Sequence, residues 1–357
     1  MAQAPDEAAV RLALADFTDP ETGRGVVETG QLGKIAAQGD TLHVTLGLTS
    51  HSAILADEVR QQLQARLKEG FPGLREVVVE LATHQRSPQP LGQIGLLAKS
   101  VVAVGSGKGG VGKSTIAATV ALGLARAGSK VGLMDADVYG PSIPHLLGVN
   151  RRPEVHDNRI QPIEVSGLKV ISMGFLVPPG EAVVWRGPML HGAITQFLRD
   201  TAWGELDYLI IDMPPGTGDI ALTLSQLLPL SGAVVVCTPQ EVALLDAVKA
   251  VAMFRKVNIP ILGMVENMSG FVCPACGKRY DIFGSGGARR RAEQLSIPFL
   301  GEVPINVAIR TSGDEGRSGA NFDDPAVSES LLTICRNLVR NLAGKPSEPG
   351  PLPVLTV

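Results

Sequence analysis

The sequence lacks a surplus of either charge. Its 32 Lys and Arg face 35 Asp and Glu, a formal net charge of −3. Bulk nucleic-acid binding needs a basic face, so no nucleic-acid partner is expected. The run Arg289-Arg290-Arg291 reads as a solvated helix face. Long apolar runs are also missing: none approaches the ~20 residues of a membrane-spanning helix, so no membrane partner is expected. The opening stretch MAQAPDEAAV has no basic n-region and no apolar h-region. No signal peptide is expected from it, and Asp6 and Glu7 speak against a mitochondrial transit sequence. Cysteine is scarce. Four in 357 residues make no disulfide scaffold and suit a reducing, cytoplasmic setting. The six histidines show no ligand spacing, and the guanine-reading N-K-x-D motif is missing.

What remains is a chain rich in core material, 45% apolar and 19% charged, long enough for about two domains. Residues 1–85 read as a small α+β domain. EAAVRLALADF and SAILADEVRQQLQARLKEGF have helical spacing, while TLHVTLGLT and LREVVVELAT alternate like half-buried strands. Residues 86–98 lose periodicity, carry two prolines and read as a linker. From residue 99 to 343, short continuous apolar runs recur: SVVAVGS, KVGLMDA, LKVISMG, DYLIIDM, GAVVVCTP and PILGMVEN. Such runs suit strands buried on both faces. Helical stretches lie between several of them, which predicts an α/β, doubly wound, mostly parallel sheet. The proline-rich residues 344–357 read as a flexible tail.

The stretch GSGKGGVGKST, Gly105 to Thr115, satisfies two phosphate-binding patterns. One is the dinucleotide fingerprint G-x-G-x-x-G, with Asp135 placed where a ribose-binding acid would sit. The other is G-x-x-x-x-G-K-[ST], met by Gly107, Gly112, Lys113 and Ser114. The second wins, because DYLIIDMPPGTGD ends another apolar run on Asp212, the carboxylate a mononucleotide site needs for Mg²⁺. In this reading the backbone of Gly107, Lys108, Gly109, Gly110, Val111 and Gly112 cradles ATP, and Thr115 opens the helix behind it. Lys113 reaches the β- and γ-phosphates, and the Ser114 hydroxyl is the metal ligand on Mg²⁺. As a surface-loop residue, Lys113 is expected to matter little to folding. Gly216 and Gly218 would turn N–H groups toward the γ-phosphate. Asn267, ending GMVENM, could read an adenine. Lys108 has no task inside its own loop; it is either solvated or reaches a nucleotide on a facing subunit.

Cys273 and Cys276 form CPAC, a spacing shared by redox pairs, zinc sites and iron–sulfur sites. Cys237 and Cys335 lie in apolar runs and read as small core residues. Two thiolates per chain are half of a tetrahedral metal site. A two-fold dimer supplies the other half, and spacing does not separate zinc from a 4Fe–4S cluster.

GKGGVGKS resembles the deviant Walker A loop of the family that includes MinD, ParA, the arsenical pump ATPase and the nitrogenase iron protein. DADVYGPSIPHLLG, WRGPML, DMPPGTGD, TPQEVALLDAVKA, ENMSGFVCPACG, IFGSGG and IPFLGEVP resemble its Mrp (ApbC-like) branch of iron–sulfur scaffold or carrier ATPases. The likeness spans about 245 of the 357 residues. It implies an ATPase that sandwiches ATP in a homodimer, with Lys108 crossing between subunits. Catalysis would rest on Lys108, Lys113 and Asp137, the last orienting the attacking water, with Asp135 near the Mg²⁺ shell. The resemblance favours a 4Fe–4S cluster on Cys273 and Cys276, delivered to apo iron–sulfur proteins. DPETGRGVVETG resembles the opening of a SufT-like domain, but Ser50, His51 and Ser52 stand where several relatives carry a cysteine. That departure implies a docking role for residues 1–85. Rival readings are a MinD- or ParA-like positioning switch and a zinc-stapled dimer without transfer.

Overall fold

In a computed structural model of the chain, residues 5–138, 140–176, 187–216 and 218–343 are described. The chain divides into two compact units between Ser87 and Pro88.

The first unit is a three-stranded sheet with two helices. Helix α1 (Glu7–Ala13) starts where the Asp6 carboxylate accepts from the Ala9 N–H. Strands β1 (Leu32–Gln38), β2 (Thr41–Leu48) and β3 (Glu76–Thr83) follow in the order β1-β2-β3. The β1–β2 pair is antiparallel, and β2–β3 is parallel. A parallel pair needs a crossover, and α2 (Ala56–Gly70) provides it, burying Val59, Leu63 and Leu67. Residues 50–55 form a short 3₁₀ turn in which His51 and Ser52 are buried. Asp19 and Glu21 are buried too. Asp19 accepts from Gln31 and Thr22, and Glu21 bonds Thr49 and pairs with Arg86.

The expected linker is corrected in part. Pro90–Leu91 (β4) pairs antiparallel with the start of β5 (Leu96–Gly105), so residues 90–98 belong to a hairpin of the second unit. The prolines and glycines there shape a turn, with Gly92 and Gly95 in the left-handed region.

The second unit continues with α3 (Lys113–Arg126), β6 (Val131–Asp135), α4 (Ile143–Leu146), β7 (Val155–His156), β8 (Arg159–Ile160), β9 (Ile163–Val165) and β10 (Leu168–Ser172). Then come α5 (Gly187–Asp200), β11 (Leu206–Asp212), α6 (Gly218–Leu227), β12 (Gly232–Cys237), α7 (Glu241–Lys256) and β13 (Ile261–Val272). The last elements are β14 (Arg279–Tyr280), α8 (Gly287–Gln294), β15 (Phe299–Ile305), α9 (Val307–Asp314) and α10 (Ser328–Leu342).

The large sheet runs β14-β13-β12-β5-β11-β6-β10-β9, with β15 also on β13. Its central pairs are parallel; β9 and β14 add antiparallel edges. Strands β6, β11 and β12 are buried along their whole length, as their unbroken apolar runs require. Helix α3 is buried from Ile116 to Leu124, and small residues such as Ala117, Ala118 and Ala121 let it lie close to the sheet. The chain thus has the expected architecture: a small α+β unit followed in the sequence by a doubly wound α/β unit. The expected tail, 344–357, lies outside the described residues.

Candidate nucleotide site and cysteine hairpin

The order β12-β5-β11-β6 brings the ends of β5, β11 and β6 side by side. Ligands in open α/β sheets bind beyond the carboxyl ends of such strands. β5 runs into the phosphate loop, β11 ends on Asp212 and β6 ends on Asp135. Register pairs Asp212 directly with Asp135. The loop closes on Gly112, whose left-handed φ of 79° opens α3. The first-turn N–H groups of a helix have no partner within it, which makes this end ready for phosphate.

Lys113 is buried rather than on the surface. Its Nζ lies 2.6 Å from Asp212 Oδ1, 3.7 Å from Asp137 Oδ2 and 3.2 Å from Ser114 Oγ. Folding of the loop carries the lysine inward over two carboxylates, which corrects its expected surface position. Asp212 is fully buried, and its second oxygen, Oδ2, has no hydrogen-bond partner. Burial pushes the Asp212 carboxyl up from its ordinary value. Lys113 and Ser114 pull it back, and nearby Asp137 adds to the rise. A buried carboxylate oxygen left open beside a hydroxyl suits a hydrated Mg²⁺, so the donor set fits that ion.

Asp135 and Asp137 do different work. Asp135 accepts from the Asp137 N–H (3.1 Å), the Ile143 N–H (3.2 Å) and the Ser172 hydroxyl (2.9 Å). Both of its oxygens are engaged in shaping the loop after β6. Burial, and then Asp212, push its carboxyl up to about 8. Asp137 accepts from the Gly140 N–H at 3.2 Å and faces Lys113.

Two further expectations change. The Gly216 N–H donates to Ser106 O at 3.0 Å, so it is tied to the phosphate loop rather than open to a phosphate. The Asn267 amide donates to Val111 O at 2.9 Å, binding the loop backbone rather than standing clear for a base. Gly218 opens α6. Lys108 is half-buried and makes no ion pair among the described residues, while its carbonyl accepts from Ser106 Oγ.

The CPAC segment lies at the tip of a hairpin. β13 extends through Val272, further than its apolar run implied, and pairs with β14 through Phe271–Tyr280 and Val272–Arg279. The turn is closed by Gly277 N–H to Cys273 O (2.8 Å) and Cys273 N–H to Lys278 O (3.0 Å). Cys276 is exposed and Cys273 half-buried. The N–H groups of Ala275 and Cys276 point at the Cys273 sulfur and lower its pKa, aided by the Cys276 thiol. Cys237 and Cys335 are buried, and burial pushes each thiol up to about 12. Exposed apolar side chains flank the hairpin: Val272, Tyr280, Ile282 and Phe283. The hairpin and the links of Gly216 and Asn267 escaped sequence reasoning; only the residue types around Cys273 hinted at the first.

Comparison with known proteins decides the family. Residues 97–339 match the profile of the NUBPL iron-transfer P-loop NTPases. The chain belongs to that family. Residues 7–81 separately match an iron-sulfur cluster assembly protein profile. An iron-sulfur cluster carrier protein of Deinococcus radiodurans is 46% identical over 351 residues, 96% of this chain and 98% of that one. Among solved structures, a nucleotide-binding protein of Archaeoglobus fulgidus in complex with ADP is 44% identical. It covers 62% of this chain and 88% of its own, with a TM-score of 0.56. The cell-division ATPase MinD of Pyrococcus furiosus, at 22% identity and TM-score 0.51, covers 67% of this chain and 98% of its own, and shares the fold. The chain is therefore an α/β P-loop NTPase whose relatives are named cluster carriers. No helix among the described residues is long and apolar enough to cross a membrane.

Proposed function

We propose that this protein is an ATP-hydrolysing carrier that holds a 4Fe–4S cluster between two copies of the chain and delivers it to apo iron–sulfur proteins in the cytoplasm. The observation that carries the reading is the pairing, in one unit, of a phosphate loop with a thiol pair at a hairpin tip, Cys276 exposed and Cys273 half-buried. Among the described residues, no group of three or more His, Cys, Asp or Glu side chains could hold a metal. Cys273 and Cys276 offer two ligands of the four a cluster takes, and a two-fold dimer completes the set. The apolar side chains around the hairpin suit burial against a second copy.

At the nucleotide, the phosphate groups compete with Asp212 for Lys113. The ammonium moves from a carboxylate to the β- and γ-oxygens, where it offsets charge that develops in transfer. Mg²⁺, when bound, would neutralise the same phosphates, held by Ser114 and, through water, Asp212. Asp137 orients the attacking water, and Lys108 acts across the dimer. Asp135 keeps Asp137 in place through its backbone.

Anaerobic reconstitution with iron and sulfide tests the reading. Cys273→Ser or Cys276→Ser should each abolish the brown chromophore, since a bridging site loses two ligands at once. Cys237→Ser and Cys335→Ser should keep it. A colourless, zinc-bearing product in the wild-type protein would replace the carrier with a zinc-stapled dimer.

A further inference from the structure

The two sites are joined by one strand. Asn267 lies in β13 and Cys273 directly after its end, and Asn267 grips the phosphate loop. Its amide donates to Val111 O at 2.9 Å, with both residues buried. The fit is close: a Cβ on Gly112 would overlap the Asn267 amide nitrogen, so only glycine admits this contact.

On the sheet side, the strand is fixed at Glu266. That carboxylate is fully buried and accepts from the Gly286 N–H (2.7 Å), the Ala288 N–H (2.6 Å) and Ser269 Oγ (2.6 Å). On the hairpin side, the ladder breaks. The register with β15 shifts between Asn267 and Phe271. Met268 adopts a left-handed φ of 59°, uncommon for a residue with a side chain. Gly270, at φ 69°, completes the bulge. Such bulges re-aim the chain beyond them. Past this one, the strand keeps one pair with β15, Phe271–Ile305, and two with β14, and the cysteines follow directly on these.

We infer that Asn267 is a positioning residue that couples the phosphate loop to the cysteine hairpin through the bulge at residues 268–270. Glu266 is the pivot. When phosphates draw the loop backbone onto themselves, Val111 O shifts, Asn267 moves with it, and the bulge turns that shift into a new setting of Cys273 and Cys276. The nucleotide state thereby sets the accessibility of the two thiolates. Because the link is a single neutral hydrogen bond, its coupling is limited to about tenfold.

The inference deepens the carrier reading, but its test does not require a cluster. In the full-length, cluster-free protein, alkylation of Cys273 and Cys276 by iodoacetamide is timed by mass spectrometry, with and without saturating Mg-ATP or a slowly hydrolysed analogue. The wild-type rate should change severalfold, up to about tenfold. Asn267→Ala should bring the ratio towards one. Asn267→Leu, close in shape but without the donor or a charge, should do so too, which separates the hydrogen bond from packing. A nucleotide ratio near one in the wild type, or a wild-type ratio retained in both variants, overturns the coupling. If dimer burial alone protects the thiols, the variants keep the effect, which also overturns it. Failure of the wild type to take up iron and sulfide would refute the carrier reading and leave this result standing.

Discussion

Lys113→Ala tests the buried charge cluster, and its effect on stability can be worked out before any activity is measured. Lys113 Nζ is the cation at 2.6 Å from Asp212 and 3.7 Å from Asp137. Asp212 is fully buried, so removing the ammonium strands a carboxylate that already lacks a partner on Oδ2. Breaking a buried pair by deleting one member costs about 3–5 kcal/mol. At about 2–4 °C per kcal/mol for a unit of this size, the melting temperature should fall by roughly 6–20 °C. The penalty should shrink as pH falls. Without Lys113, burial pushes the Asp212 carboxyl higher still, and a protonated acid needs no cation. Lys113→Ala/Asp212→Asn should recover most of the loss. The assay is thermal unfolding without nucleotide at pH 8 and pH 5. A single mutant that melts within a degree of the wild type at pH 8, or a double mutant no more stable than the single, would refute the reasoning.

The same geometry fixes other outcomes. Lys108→Ala and Asp137→Ala subunits, each inactive alone, should recover part of their ATP hydrolysis on mixing, because one composite site regains both groups; absence of recovery after verified subunit exchange would assign Lys108 to solvent. Asp135 carries a carboxyl raised from 3.8 to about 8. The folded protein binds this proton more tightly than the unfolded chain, so its stabilisation is full below about pH 3.8 and is lost as pH rises through about 8. Asp135→Asn should therefore flatten the fall of stability between pH 5 and 8, read by urea unfolding at a series of pH values; an unchanged slope would contradict it. Gly112→Ala meets both a φ of 79° and the Asn267 amide, so it should cost at least about 1 kcal/mol and impair nucleotide binding, measured by calorimetry.

Much of this was legible in the sequence because it is local. A glycine-rich loop between an apolar run and a helix announces itself within eleven residues, and β6 and β11 each end their apolar run on the acid that reaches the site. What escaped is long-range. The spacing of Lys113 says nothing of its burial, which depends on Asp212, ninety-nine residues away. Gly216 and Asn267 looked free to meet a nucleotide because their partners, Ser106 and Val111, are set by the order of strands in the sheet. Pro90 and Pro88 suggested a linker, yet an edge strand tolerates proline where no ladder N–H is needed, and β4 pairs there with β5. β13 ran past its apolar stretch because polar residues such as Asn267 and Ser269 find buried hydrogen-bond partners within the fold.

The central claim is that one cluster bridges two chains, and native mass spectrometry of the anaerobically reconstituted protein tests it most directly, since one spectrum reads both the oligomer and its cargo. The account predicts a dimer carrying about four irons and four sulfides, with monomers free of them. A monomer bearing a complete 4Fe–4S cluster, or a Cys273→Ser/Cys276→Ser dimer that still carries one, would contradict it.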